Sequence, residues 1–273
     1  MGVLVPKKRA WFLASAGIGA GSLLCFAVLS FGRPWRPGRG PALWFGVAAA
    51  LLVLGHAVYP LRRKLLFFPL HTAQHWAQFH VYGGVVGVLF VLIHEGFAWP
   101  SGTIGWLLLI LSFWTALSGL AGVWLQKWIP ALMASGLGVE AIFERIPELI
   151  DELRAEAGKL VEGSSEIFER FYRDDVEPAL AGVDVSWDYL LDVRRGRDRR
   201  LAPFVRLAAH LPETERPRLE DLKSLFTEKL ELDAQCSLQR ILRAWLQLHV
   251  PPAMLLVGIM LFHIGSNLLY GLP

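Results

Sequence analysis

Acidic side chains are almost missing from most of this chain. Of its 24 Asp and Glu residues, 23 lie between Glu140 and Asp233, and everything outside that block shares one carboxylate, Glu95. More than half of all residues are hydrophobic, so the low-charge part is composed like a membrane protein and unlike a soluble domain. Cysteine is equally scarce. Cys25 stands in an apolar run and Cys236 far away in the charged block, and they form no CxxC, no CxxCH and no disulfide framework. That excludes covalent c-type haem and cysteine-ligated iron–sulfur clusters held by this chain alone. The net charge of +3 comes from Lys and Arg clustered at the ends of apolar runs, where they anchor helices at an interface; no nucleic-acid signature is present. Internal repeats, low-complexity tracts and flavin or nicotinamide fingerprints are also lacking.

What is there is apolar length. A bilayer core takes about 20 apolar residues of helix, and five stretches qualify: Trp11 to Phe31, Pro41 to Pro60, Trp76 to Phe97, Gly105 to Trp128 and Trp245 to Tyr270. The first follows Lys7, Lys8 and Arg9 as a signal peptide would, but its apolar part is long and no small-x-small cleavage site follows, so it is read as an uncleaved helix. The turns between spans are short, with a Pro/Gly/Arg turn at Arg33 to Gly40, a basic stretch at Arg62, Arg63 and Lys64, and Ala98 to Thr103. The expected fold is all-α, a transmembrane bundle of about five helices with a helical extramembrane insertion. It divides into helices 1 to 4 over residues 1–128, a charged domain over 129–244 and the fifth helix over 245–273.

The long connection is charged but patterned. Ile142, Phe143, Ile146, Leu149, Ile150 and Leu153 recur at helical spacing, and after Pro217 so do Leu219, Leu222, Leu225, Phe226 and Leu230. The stretch from Leu238 is expected to run into the last membrane helix. Arg194, Arg195, Arg197, Arg199 and Arg200 form a basic run that is either a solvated loop or a site for a partner or lipid headgroups. The N-terminus, the stretch at Arg62 to Lys64 and the edges of the long connection share one side with roughly nine Lys and Arg, against Arg33, Arg36 and Arg39 on the other. The expected topology therefore has the N-terminus and large domain in the cytoplasm, in a bacterial inner membrane.

Histidine carries the chemistry. Of eight histidines, His80 and His94 lie in the third span and His249 and His263 in the fifth, each pair 14 residues apart. Fourteen residues return to within about 40° of the starting direction and rise about 21 Å, so each pair leaves one face of its helix. One span separates the third from the fifth, so the two run the same way across the bilayer. His80 is then level with His249, and His94 with His263. Each level offers two neutral imidazoles, the ligand set of a six-coordinate haem iron. Gly83, Gly84 and Gly87 follow His80, and Gly258 and Gly265 lie in the fifth span. They either admit a bulky macrocycle, with Gly84 and Gly87 the candidate contacts, or serve ordinary helix packing. His56 has no partner at this spacing and is read as hydrogen-bonded to a neighbouring helix. His71 and His75, one turn apart near the interface, are read as solvated or propionate-binding, with a third metal or haem as the other possibility. Glu95, beside His94, is either a proton acceptor for a quinol or a helix-end carboxylate.

At these residues the sequence resembles membrane dihaem cytochromes b. It is similar to the cytochrome b subunit of respiratory quinol:cytochrome c oxidoreductases and to ferric-reductase and NADPH-oxidase type proteins, in which two parallel helices each carry two spaced histidines. The matching segments are His80-Val-Tyr-Gly-Gly-Val-Val-Gly through His94, and Leu248-His249-Val-Pro-Pro through His263. The resemblance covers the third to fifth spans. It implies two haem b groups, one held by His80 and His249 and the other by His94 and His263.

The expected function is electron transfer across the bilayer between a donor, either quinol or a protein, and an acceptor. The charged domain would dock a c-type cytochrome, an iron–sulfur protein or a flavin protein within a multisubunit complex. Two other classes stay open: a metal-ion or proton transporter using the same histidines, and a membrane anchor for a partner-binding helical domain.

Overall fold

The absence of charge dictates helices, because in lipid every backbone N–H and C=O must be satisfied within its own segment. The structure, a computed structural model, describes residues 9–58, 73–136, 142–186 and 193–270. Among the described residues there is no strand. Five helices are long and apolar enough to cross a membrane: α1 (Arg9–Ser30), α2 (Gly40–Ala57), α3 (Ala73–His94), α4 (Thr103–Gly136) and α9 (Arg216–Tyr270). Between α4 and α9 lie α5 (Ile146–Val161), α6 (Glu166–Phe171), α7 (Glu177–Leu180) and α8 (Val193–Ala208), with a 3-10 turn at Phe143–Arg145 and a π-bulge at Tyr172–Val176. The basic stretch at Arg62 to Lys64 and His71 lie outside the described residues.

The chain forms two compact units, Met1–Trp124 with Trp245–Pro273, and Leu125–Ala244. In the first, α3 packs on α1 and α2. Pro41 enters α2 in its first turn, where its missing N–H costs nothing. The end of α3 is set by a Schellman motif: Gly96 at φ 68° donates its N–H to the Ile93 carbonyl, and Phe97 donates to that of Leu92. Trp35 adds its indole N–H to the Ile93 carbonyl at 2.7 Å. His94 thus occupies a last helical turn that is held from both sides. His75, at the other end of α3, packs edge-on against Trp11 with ring centroids 6.3 Å apart.

In the second unit, helical periodicity becomes a core. Ile146, Ile150, Leu153 and Ala157 line one face of α5 and are buried with Phe168, Phe171, Leu180, Phe204, Leu219, Leu222, Phe226 and Leu230. Phe204 meets Phe171 edge-on at 5.0 Å and Phe226 at a tilt at 5.2 Å. Ile142, which shares the periodic pattern, is instead exposed. The segment after Pro217 and the last membrane span are one continuous helix, α9, where two had been read. Lys229 and Asp233, one turn apart on α9, pair with both side chains fully buried. Asp233 also accepts the Asp184 N–H at 2.9 Å, and Ser237 accepts that of Ser186 at 3.2 Å, so residues 184–186 are strapped to α9. In the basic run, Arg200 pairs with Asp184 at 2.8 Å.

Candidate functional site

The four spaced histidines all lie in the first unit. His80 of α3 faces His249 of α9 with ring centroids 6.2 Å apart and planes at 76°. His94 ends α3 and His263 lies 14 residues beyond His249 in α9, where Asn267 one turn later donates its side-chain N–H to the His263 carbonyl at 2.7 Å. The facing rings of His80 and His249 are the pair expected at the first level.

Hydrogen bonds fix which nitrogen is available at each level. The Nδ1 of His94 lies 2.8 Å from the carbonyl oxygen of Ala42 on α2. A carbonyl only accepts, so Nδ1 carries the hydrogen and Nε2 keeps its lone pair. The Nδ1 of His249 lies 2.9 Å from Ser118 Oγ on α4, and that hydroxyl sits 2.7 Å from the Trp114 carbonyl. Two oxygens at that distance need a proton between them, and only the serine can supply it. Ser118 Oγ therefore accepts from His249, and Nε2 of His249 is again the open lone pair. Binding one imidazole nitrogen to backbone or hydroxyl while the other faces inward is how proteins orient histidines that ligate metals.

Close approaches hold these rings in place. A Cβ on Gly46 would lie 2.6 Å from the His94 ring, so only glycine on α2 leaves the berth that His94 fills. A Cβ on Gly122 would lie 1.9 Å from Trp245, whose indole stacks on His249 at 5.6 Å and 19° and donates to the Ser118 carbonyl at 2.7 Å. Pro251 and Pro252 follow His249 inside α9. Pro252 has no N–H for the Leu248 carbonyl four residues earlier. Trp114 fills the gap, donating its indole N–H to Leu248 at 2.8 Å.

Beside the His80/His249 pair is a cavity of about 920 Å³, including the part open to its surroundings, lined by α2, α3, α4 and α9. Among the described residues its polar side chains are His56, His80, His249, Ser112 and Thr115. Gly84, Gly87, Ala116, Gly119 and Ala253 keep the wall thin. A Cβ on Gly84 would meet nothing within 4 Å, while one on Gly87 would just touch Leu52 at 3.9 Å. Gly83 makes room for His56 instead, and Gly258 and Gly265 face open space.

The spacing of His80 and His249 fits a haem between them. Two imidazoles bound to opposite sides of one metal at about 2 Å, each ring centre about 1.2 Å behind its nitrogen, have centroids about 6.4 Å apart. The His80 and His249 centroids are 6.2 Å apart. No group of three or more His, Cys, Asp or Glu that could hold a bare metal ion occurs among the described residues.

Periodicity did not reveal His56, which lines the same cavity with its ring 5.1 Å from those of both His80 and Phe79. Ser118, Trp245, Gly46 and Gly122 were also missed, since no spacing marks them. Glu95 directly follows His94 and is half-buried at the end of α3. Compared with protein-family models, curated proteins and solved structures, the chain matches none of them.

Proposed function

We propose that this chain is a membrane dihaem b-type cytochrome that passes electrons across the bilayer, with His80 and His249 holding one haem and His94 and His263 the other. The observation that carries the reading is the facing of His80 and His249 at 6.2 Å, with His249 and His94 each tied through Nδ1 so that Nε2 keeps its lone pair. A haem b held this way supplies one-electron ferric/ferrous chemistry with its ligands unchanged. Two histidines at each level would hold each haem from both sides, which would favour electron transfer over oxygen chemistry at the metal. Gly84 and Gly87 give the ring room, and the apolar lining excludes water. Spacing the levels by about 21 Å along the helices gives electrons a stepping place near each face.

The remaining parts of the proposal follow from sequence. The donor is a quinol or a protein, Glu95 is positioned to take a quinol proton beside the His94 level, and the charged unit docks a redox protein in a larger complex. The N-terminus and that unit are placed in the cytoplasm of a bacterium.

The test is electron transfer through vesicles. Proteoliposomes containing the chain and loaded with ferricyanide are exposed to external reductant. Bleaching of the trapped ferricyanide by the wild type, and its loss in both His80→Ala and His94→Ala, is the expected result. Bleaching that persists in both variants contradicts the proposal.

A further inference from the structure

The two levels are anchored by different acceptors, and at His249 the acceptor is a side chain. His94 gives its Nδ1 hydrogen to a backbone carbonyl, which substitution cannot remove. His249 gives its own to Ser118 Oγ, whose proton is committed to the Trp114 carbonyl. Trp114 then donates to the carbonyl of Leu248, the residue before His249. Trp245, one turn before His249, donates to the carbonyl of Ser118. Three hydrogen bonds thus cross between α4 and α9 within one turn of His249, and Ser118 takes part in two of them.

We propose that Ser118 is the positioning residue that sets the redox character of the His80/His249 level, by polarising His249 through its Nδ1–H; this rests on the haem reading above. Hydrogen bonding at Nδ1 pushes electron density toward Nε2 and makes the imidazole a stronger donor. A stronger donor favours the more highly charged ferric metal and lowers the midpoint potential. The preceding proton in the chain matters as well. Because Ser118 donates to Trp114, its oxygen is enriched as an acceptor, and the hydroxyl cannot turn to donate to His249 and reverse the tautomer. Ser118 touches neither iron nor porphyrin in this account and acts only through the ligand.

The experiment is a potentiometric titration of the full-length protein in detergent, with electron paramagnetic resonance of the oxidised form. The haem at this level is the one lost in His80→Ala. Ser118→Ala should raise its potential by a two- to tenfold shift in the ferric/ferrous equilibrium, about 20–60 mV at 59 mV per tenfold for one electron. Its low-spin resonance should shift too, with the other haem unmoved as internal control. Ser118→Thr, which keeps the hydroxyl, should restore both. Ser118→Cys, which keeps the volume but accepts weakly, should fall between, and it carries the test if Ser118→Ala fails to retain the haem. Two haems with unchanged potentials and resonances in Ser118→Ala or Ser118→Cys would overturn the role of Ser118 and leave the haem reading intact. A wild-type protein that binds no haem would overturn both.

Discussion

Replacing Gly46 by alanine separates helix propensity from site geometry, because the two demand opposite outcomes. In an ordinary helix interior the change stabilises by about 1 kcal/mol. Here the new Cβ would lie 2.6 Å from Cε1 and Nδ1 of His94 and 3.1 Å from its Cγ. Relaxed non-bonded contacts are about 3.5–4.0 Å, so the ring or helix must shift by about 1 Å. The bond from Nδ1 to the Ala42 carbonyl, now 2.8 Å, would stretch beyond the roughly 3.2 Å at which such bonds hold. Leaving that N–H unpaired costs about 1–3 kcal/mol, and the overpacking costs a similar amount. A total of roughly 2–6 kcal/mol weakens haem binding at the His94/His263 level by about 30- to 20,000-fold. The assay is haem stoichiometry by pyridine haemochrome, with helicity checked by circular dichroism. One haem per chain in a fully helical protein is expected; two haems with unaltered potentials would refute the placement of His94 against α2.

Gly122→Ala is the counterpart for the other level. Its Cβ would overlap Trp245, so the haem at His80/His249 should be weakened while that at His94/His263 stays, as read by potentiometric titration. Gly84→Leu pushes a side chain into the cavity from a position where a Cβ meets nothing within 4 Å; it should leave the thermal transition within a few degrees of wild-type apoprotein yet abolish one haem, and retention of both would show that the cavity is not the binding space. Lys229→Met strands Asp233, fully buried, without its cation. Removing one partner of a buried pair costs about 3–5 kcal/mol, to be measured by denaturant unfolding of the full chain, and a change under 1 kcal/mol would contradict the burial of that pair.

Particular residues show how far sequence could reach. Five spans were legible because lipid tolerates neither charge nor unpaired backbone. The histidine levels were legible because 14 residues is nearly a whole number of helical turns and two parallel helices repeat it. Gly46 and Gly122 carry no such signal. Each matters only through the ring that a different helix brings against it, and adjacency of α2 to α3, or of α4 to α9, has no periodicity. Ser118 is one of many membrane serines until the Trp114 and His249 contacts are known. His56 lacks a partner on its own helix, yet packing of α2 on α3 brings it into the cavity. Helix junctions were harder still. The segment after Pro217 is amphipathic and the one after Trp245 wholly apolar, so they read as separate elements, but no Gly or Pro interrupts the backbone between Leu219 and Val250 and α9 runs through.

The most direct measurement is the haem content of the purified full-length protein. Two b-type haems per chain with low-spin spectra are expected, with loss of one when either His80 or His263 is replaced by alanine. A helical, monodisperse preparation, made with haem supplied during expression, that contains no haem would contradict it.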